Sequence, residues 1–205
     1  MIGNLRLLEQ KLGKRKNLFL LEEPPERRVI SAYVPYAGKP TTYHIPFPWL
    51  YYVVSTGSEW SKPIVNAIFA AGEQRSRRSK KSRIVRPLYF LNQYGYSPCY
   101  EGEFLEETYS TAKNKTAIEQ GIHFALQDYW QENFNCDGTY VHSEWWCRFA
   151  NDLKGVGDEY DYEAILKAME KMSVEDICNA YSNIEHGNAE YDLDEALSLG
   201  KHRRT

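Results

Sequence analysis

Asn92 and Cys99 are the residues whose types and spacing come closest to covalent chemistry. A thiol becomes a nucleophile where it is exposed and where nearby donors or cations favour the thiolate. Ser97 and Pro98 directly precede Cys99 and set a turn, so the sulfur is expected in irregular backbone rather than mid-strand. The amide of Asn92, seven residues earlier, offers N–H donors that could stabilise an oxyanion. No histidine lies close in sequence to serve as base, and His44 and His123 are the ones a fold could bring near. The same stretch, 87–102 (PLYFLNQYGYSPCYEG), reads equally as a packed strand pair, with Cys99 as a small buried hydrophobe.

The second constellation is cationic. Residues 74–83 (QRSRRSKKSR) bring together Arg75, Arg77, Arg78, Lys80, Lys81 and Arg83, with Arg86 just beyond and no acid between. Lys and Arg neutralise phosphates and release counterions, which gives salt-sensitive, sequence-independent binding. The interleaved serines add donors, and Tyr89, Phe90, Tyr94 and Tyr96 could stack on bases. The plain alternative is a solvated hairpin tip that keeps a sheet edge from aggregating. Against this stretch stands an acidic one. Residues 158–195 hold twelve acids and only two lysines, Lys167 and Lys171. A second copy could therefore dock basic loop to acidic face, as in an assembly protein.

Two further groups carry less. Cys136, His142 and Cys147 supply zinc-type ligands, but structural zinc sites use tight Cys pairs and four ligands, and no fourth stands out. No metal and no cofactor is expected. Glu101, Glu103, Glu106 and Glu107 read as a solvated approach to a helix. No phosphate-binding glycine loop, serine-hydrolase elbow or zincin motif occurs.

The segment Asn92-x-Tyr94-x-x-x-x-Cys99 resembles the active-site stretch of ubiquitin-conjugating enzymes, and more closely that of their prokaryotic relatives on phages and plasmids. The resemblance extends to IPFPWLYYVV at 45–54 and to YWQENFNCD at 129–137, so it spans about 45–137. It implies that Cys99 carries a thioester and that Asn92 polarises it. The chain departs from the family in three places. Phe90-Leu91 replaces the family's His-Pro, the Asn–Cys spacing is one residue shorter than the eukaryotic pattern, and Pro98 stands where a β-branched residue is usual. These departures turn the expectation toward a fold kept for binding rather than for conjugation.

The elements that must position these residues follow from pattern. At 205 residues the chain can bury one substantial core. Tyr, at 16, outnumbers Phe and Trp together (8 and 5), which suits half-buried sheets with polar rims. Residues 17–21 and 28–36 read as strands separated by a Glu-Glu-Pro-Pro-Glu turn at 22–26. Residues 49–54, 64–71 and 84–91 read as further strands, with Pro46 and Pro48 confined to an edge or a strand entrance. Residues 4–12 are too short to assign. A helix is expected over about 112–132, from the spacing of Ile118, Ile122, Ala125, Leu126 and Tyr129. Three more should follow: one begun by Ser143, one capped by Asp161, and one opened by a Ser173–Asp176 capping box.

Strands first and helices afterwards predict an α+β protein: a small antiparallel sheet packed on a long helix, residues 1–140, then a helical C-terminal extension, 141–205. No stretch approaches the roughly 18 apolar residues of a membrane span, and residues 1–23 lack the pattern of a signal peptide. The four cysteines are not closely paired, which predicts reduced thiols and a cytoplasmic setting, a host cytoplasm or a virion if phage-encoded. The expected function is a binding or adaptor module of a phage or mobile element, with a protein partner or self-assembly. The alternative is a nucleic-acid-associated or phage structural protein that uses 74–83.

Overall fold

The computed structural model describes residues 4–14, 16–34, 39–57, 63–75, 84–88, 90–91, 93–94, 97–98, 115–131, 133–134, 162–183 and 191–199. It is an α+β structure, mostly antiparallel in its sheets. The strands are β1 (Arg6–Lys11), β2 (Lys16–Glu23), β3 (Glu26–Ala32), β4 (Thr41–Phe47), β5 (Trp49–Gly57), β6 (Ile64–Ala71), β7 (Arg86–Pro87), β8 (Gln93–Tyr94), β9 (Ser97–Pro98) and β10 (Asn133–Phe134). The described helices are α1 (Lys115–Gln131), α2 (Tyr162–Glu170), α3 (Val174–Asn183) and α4 (Leu193–Leu199).

One long hairpin organises both larger sheets. Strand β2 pairs with β5 from Lys16↔Gly57 to Glu23↔Leu50, and β3 pairs with β4 from Glu26↔Phe47 to Ala32↔Thr41. The register is continuous across the two ladders. The ribbon is interrupted only at Pro24-Pro25 on one side and Pro48 on the other, where proline lacks the N–H a ladder needs. The chain turns a corner there. The first half of the ribbon joins a five-stranded sheet in the order β1-β2-β5-β6-β7, and the second half a three-stranded sheet in the order β10-β3-β4.

The five-stranded sheet is apolar on both faces, which explains the unbroken hydrophobic runs of β5 and β6. One face, with Phe19, Leu21, Leu50, Tyr52, Ile68 and Ala70, packs in a single cluster with β3, β4, α1, α2 and α3. The other, with Leu18, Leu20, Tyr51, Val53, Ala67 and Phe69, is covered by Leu193, Ala196 and Leu197 of α4. A bulge at Asn66 resets the alternation. Val53 faces Ala67 but Val54 faces Val65, so Val65 shares a face with Ile68 and Ala70.

The helices after α1 are tied to the sheets by specific contacts. The guanidinium of Arg27 on β3 donates to the carbonyl oxygens of His44 (2.5 Å), Glu170 (3.0 Å) and Met172, so it closes the end of α2 onto the β3–β4 ladder. The backbone N–H of His44, at the edge of β4, donates to Glu170 Oε1 at 2.7 Å.

The capping box at the start of α3 forms as its sequence suggests. Asp176 N donates to Ser173 Oγ at 3.0 Å and Ser173 N donates to Asp176 Oδ2 at 2.8 Å. Ser173→Ala should cost about 1 kcal/mol in urea denaturation, and Ser173→Asp should recover most of it. A second box opens α4, which sequence reading did not anticipate. Asp192 Oδ1 accepts from Asp194 N and Glu195 N, and Glu195 Oε2 accepts from Asp192 N.

Candidate functional site

The densest polar chemistry among the described residues sits where β2 meets the proline corner. The sequence pattern places Glu22 and Glu23 in a turn over 22–26. They are instead strand residues, 2% and 1% exposed, because the turn is made by Pro24-Pro25 and the acids belong to the ladder before it. As neighbours on a strand they point to opposite faces.

On the inner face, Glu23 Oε2 accepts from Tyr52 Oη at 2.5 Å, and that phenol oxygen accepts from Trp130 Nε1 of α1 at 3.0 Å. The Arg28 guanidinium forms ion pairs with Glu23 and, at 2.6 Å, with Glu26. It also lies over the Trp130 ring, 4.4 Å from the centroid. The ring packs edge-on against Phe47 and Tyr129. Burial pushes the Glu23 carboxyl above the ordinary range despite Arg28 and Tyr52. Burial likewise pushes the Tyr52 phenol well up, and the neighbouring Glu23 adds to the shift.

On the outer face, Glu22 stands directly opposite Tyr51. Its Oε1 pairs with Arg6 at 2.6 Å and accepts from Gln74 Nε2 at 2.9 Å. Tyr51 Oη accepts from the backbone N–H of Arg75 at 2.5 Å, and burial raises the phenol's pKa. Gln74 and Arg75 begin the cationic stretch, so Glu22 and Tyr51 hold its root. Just before them Gly72 lies against α3. A Cβ there would stand 2.6 Å from Ser182 N and closer still to Ser182 Oγ and the Cys178 carbonyl oxygen. At the far end of the stretch, Val85 and Tyr191 exchange backbone hydrogen bonds of 2.8 and 3.0 Å. Tyr51, Val85 and Tyr191 all belong to the α4 side of the sheet.

Of the cationic residues singled out by sequence, Arg75 and Arg86 are described: Arg75 is 9% exposed, drawn into the protein rather than displayed, and Arg86 is half-buried in β7. Arg77, Arg78, Lys80, Lys81 and Arg83 lie outside the described residues, as do Asn92, Cys99, Cys136, His142 and Cys147. The hairpin between Asn92 and Cys99 in sequence is seen in part: Gln93 pairs with Pro98 and Tyr94 with Ser97. Ser97 Oγ donates to Asn66 O at 3.5 Å, the carbonyl of the bulge residue in β6. Cys178 on α3 is half-buried, and desolvation raises its thiol pKa, opposed by a hydrogen bond to the Trp49 backbone. Among the described residues no group of three or more His, Cys, Asp or Glu side chains is placed to hold a metal. No described helix is long and apolar enough to cross a membrane.

Sequence reading missed Glu22, Glu23, Arg28, Tyr52 and Trp130. The available signal was a pair of acids closing an apolar strand directly before two prolines, with Arg28 and consecutive tyrosines at 51 and 52 nearby in the hairpin. The chain matches no family model, no curated protein and no solved structure.

Proposed function

We propose that the chain is a binding or adaptor module of a phage or other mobile element, and that it engages an anionic partner through the cationic stretch 74–83. The observation that carries this reading is the anchoring of that stretch at both ends. Arg75 is held on Tyr51 and Val85 on Tyr191, on the same side of the five-stranded sheet. Tethering both ends limits the conformational entropy that the intervening residues would lose on binding, so their cations are delivered at lower cost. In this reading residues 1–140, with a sheet backed by α1 and a fold like that of ubiquitin-conjugating enzymes, form the scaffold. Residues 141–205 form a helical extension packed on it. The acids of the extension that face solvent, Glu175, Asp176, Asp194 and Glu195 among them, are the self-complementary surface for a second copy.

The competing reading is thioester transfer through Cys99 with Asn92 as the polarising group. It draws support from the hydrogen bond of Ser97 Oγ to the Asn66 carbonyl, which ties the paired strands β8 and β9 to β6.

Heparin chromatography of two variants, with an ester assay on a third, separates the two. Replacing Arg77, Arg78, Lys80 and Lys81 by serine should shift elution to much lower salt, equivalent to at least about ten-fold weaker binding to polyanions, whereas Cys99→Ala should elute with the unmodified protein. Unchanged elution of the serine variant, or an ester accumulating on Cys99→Ser with an activated carrier protein, would favour transfer chemistry.

A further inference from the structure

The buried cluster at the proline corner has an uneven charge balance. Two carboxylates, Glu23 and Glu26, share one guanidinium, and both reach the same nitrogen, Arg28 Nη2. The side chain of Glu26 is 37% exposed, so water also supports its charge, whereas the side chain of Glu23 is 1% exposed. Neither Glu23 Oε1 nor Arg28 Nη2 has a well-aligned hydrogen bond, so the pairing is by proximity more than by direction. An ionised Glu23 is thus desolvated, shares its cation with a rival, and rests on a single good hydrogen bond from Tyr52.

We infer that Glu23 is a proton-uptake site, and that this corner is a pH-responsive clasp between the hairpin and α1. On mild acidification Glu23 Oε1 takes a proton from solvent. Oε2 continues to accept from Tyr52 Oη, so the chain of donors from Trp130 to Tyr52 to Glu23 survives. Arg28 then belongs to Glu26 alone and keeps its place over the Trp130 ring. The charged and titratable groups facing Glu23 are Arg28 and Glu26 on β3 and Tyr52 on β5, and α1 faces the cluster with Trp130. Tyr52 stays neutral because its phenol is pushed well up.

The direction of the effect follows from linkage. An acid whose pKa is higher in the folded chain than in the unfolded chain is bound better as the neutral form. Its contribution is complete below the unfolded value, about 4.3 for Glu, and is lost as the pH rises through the folded value. The clasp therefore tightens as the pH falls through the folded value toward the unfolded one, against the usual trend of acid weakening.

Two measurements on the full chain test this. In ¹³C carboxyl NMR, assigned with Glu23→Gln, the Glu23 signal should titrate above those of exposed glutamates, and Glu26→Gln should move that titration down by returning Arg28 to Glu23. In urea denaturation between pH 8 and 5, the protein should gain stability relative to Glu23→Gln as the pH falls. A Glu23 that titrates at or below exposed glutamates, or denaturation curves that stay parallel across that range, would overturn the inference. Should Glu23→Gln not fold, assignment from backbone correlations in the unmodified protein decides it through the titration alone.

Discussion

Arg28→Met should lower stability by about 3–5 kcal/mol at neutral pH, among the largest effects of any single polar substitution in this chain. The aliphatic part of the side chain is nearly replaced, so little volume is lost. What disappears is the charge beside Glu23. That carboxylate is then buried with Tyr52 as its remaining donor, and it either bears the cost of an unpaired charge or takes up a proton. The face of Trp130 also loses its cation. The penalty should be smaller at pH 5 than at neutral pH, because each proton that Glu23 takes up as the pH falls lessens its need for Arg28. Urea denaturation at both pH values, with the double variant Arg28→Met/Glu23→Gln, measures it. The double variant should be more stable at neutral pH than Arg28→Met alone, because it removes the stranded charge. Equal losses at both pH values would place the effect in packing instead.

Gly72→Ala should cost about 3 kcal/mol and loosen α3. The added methyl meets backbone, the Cys178 carbonyl and the Ser182 N–H, as well as the Ser182 hydroxyl. A rotamer change at Ser182 relieves only the last of these, so the helix itself must retreat from the end of β6. The same retreat pulls on Gln74 and Arg75, the root of the cationic stretch. Hydrogen exchange should show faster exchange across Val174–Asn183, and polyanion binding should weaken even though no cation is removed. Full stability in Gly72→Ala would show that α3 does not press on this glycine.

The α+β class was legible because β5 and β6 are long apolar runs and because helical spacing begins only after residue 112. The capping box at Ser173 was legible because it is local. Long-range pairing was harder to read. The 16–32 and 41–57 segments form one ribbon, but the prolines that bend it look in sequence like ordinary turn punctuation. The same ambiguity hid Glu22 and Glu23, since two acids beside two prolines read as a turn. Their burial depends on Tyr51 and Tyr52 from across the ladder and on Trp130 from a helix about a hundred residues on. The bulge at Asn66 was also out of reach, because an apolar run faced on both sides carries no alternation to break. Strand β1 and helix α4 were too short for pattern to speak. Of the candidate residues read from sequence, Arg75 and Phe90 are described and buried, 9% and 1% exposed, while His44 and His123 are described and exposed. Phe90 packs edge-on against Phe47 and Phe134 and offers no face to a base, which corrects the stacking expectation for it. Arg75 is buried just beyond the end of β6, where its backbone N–H donates to Tyr51 Oη across the sheet.

The salt dependence of binding tests the central claim most directly. Affinity for a fluorescent single-stranded oligonucleotide and for a poly-glutamate peptide would be measured by anisotropy over a series of salt concentrations. The comparison pairs the unmodified chain with the variant carrying serine at 77, 78, 80 and 81. If 74–83 is the binding surface, at least one probe binds with a steep negative slope of log affinity against log salt. In the serine variant that slope flattens by about 0.7 or more for each phosphate the protein no longer neutralises. The stronger probe identifies nucleic acid or an acidic protein as the class of partner. Binding with the same slope in both proteins, or no binding of either probe at low salt, would contradict the assignment.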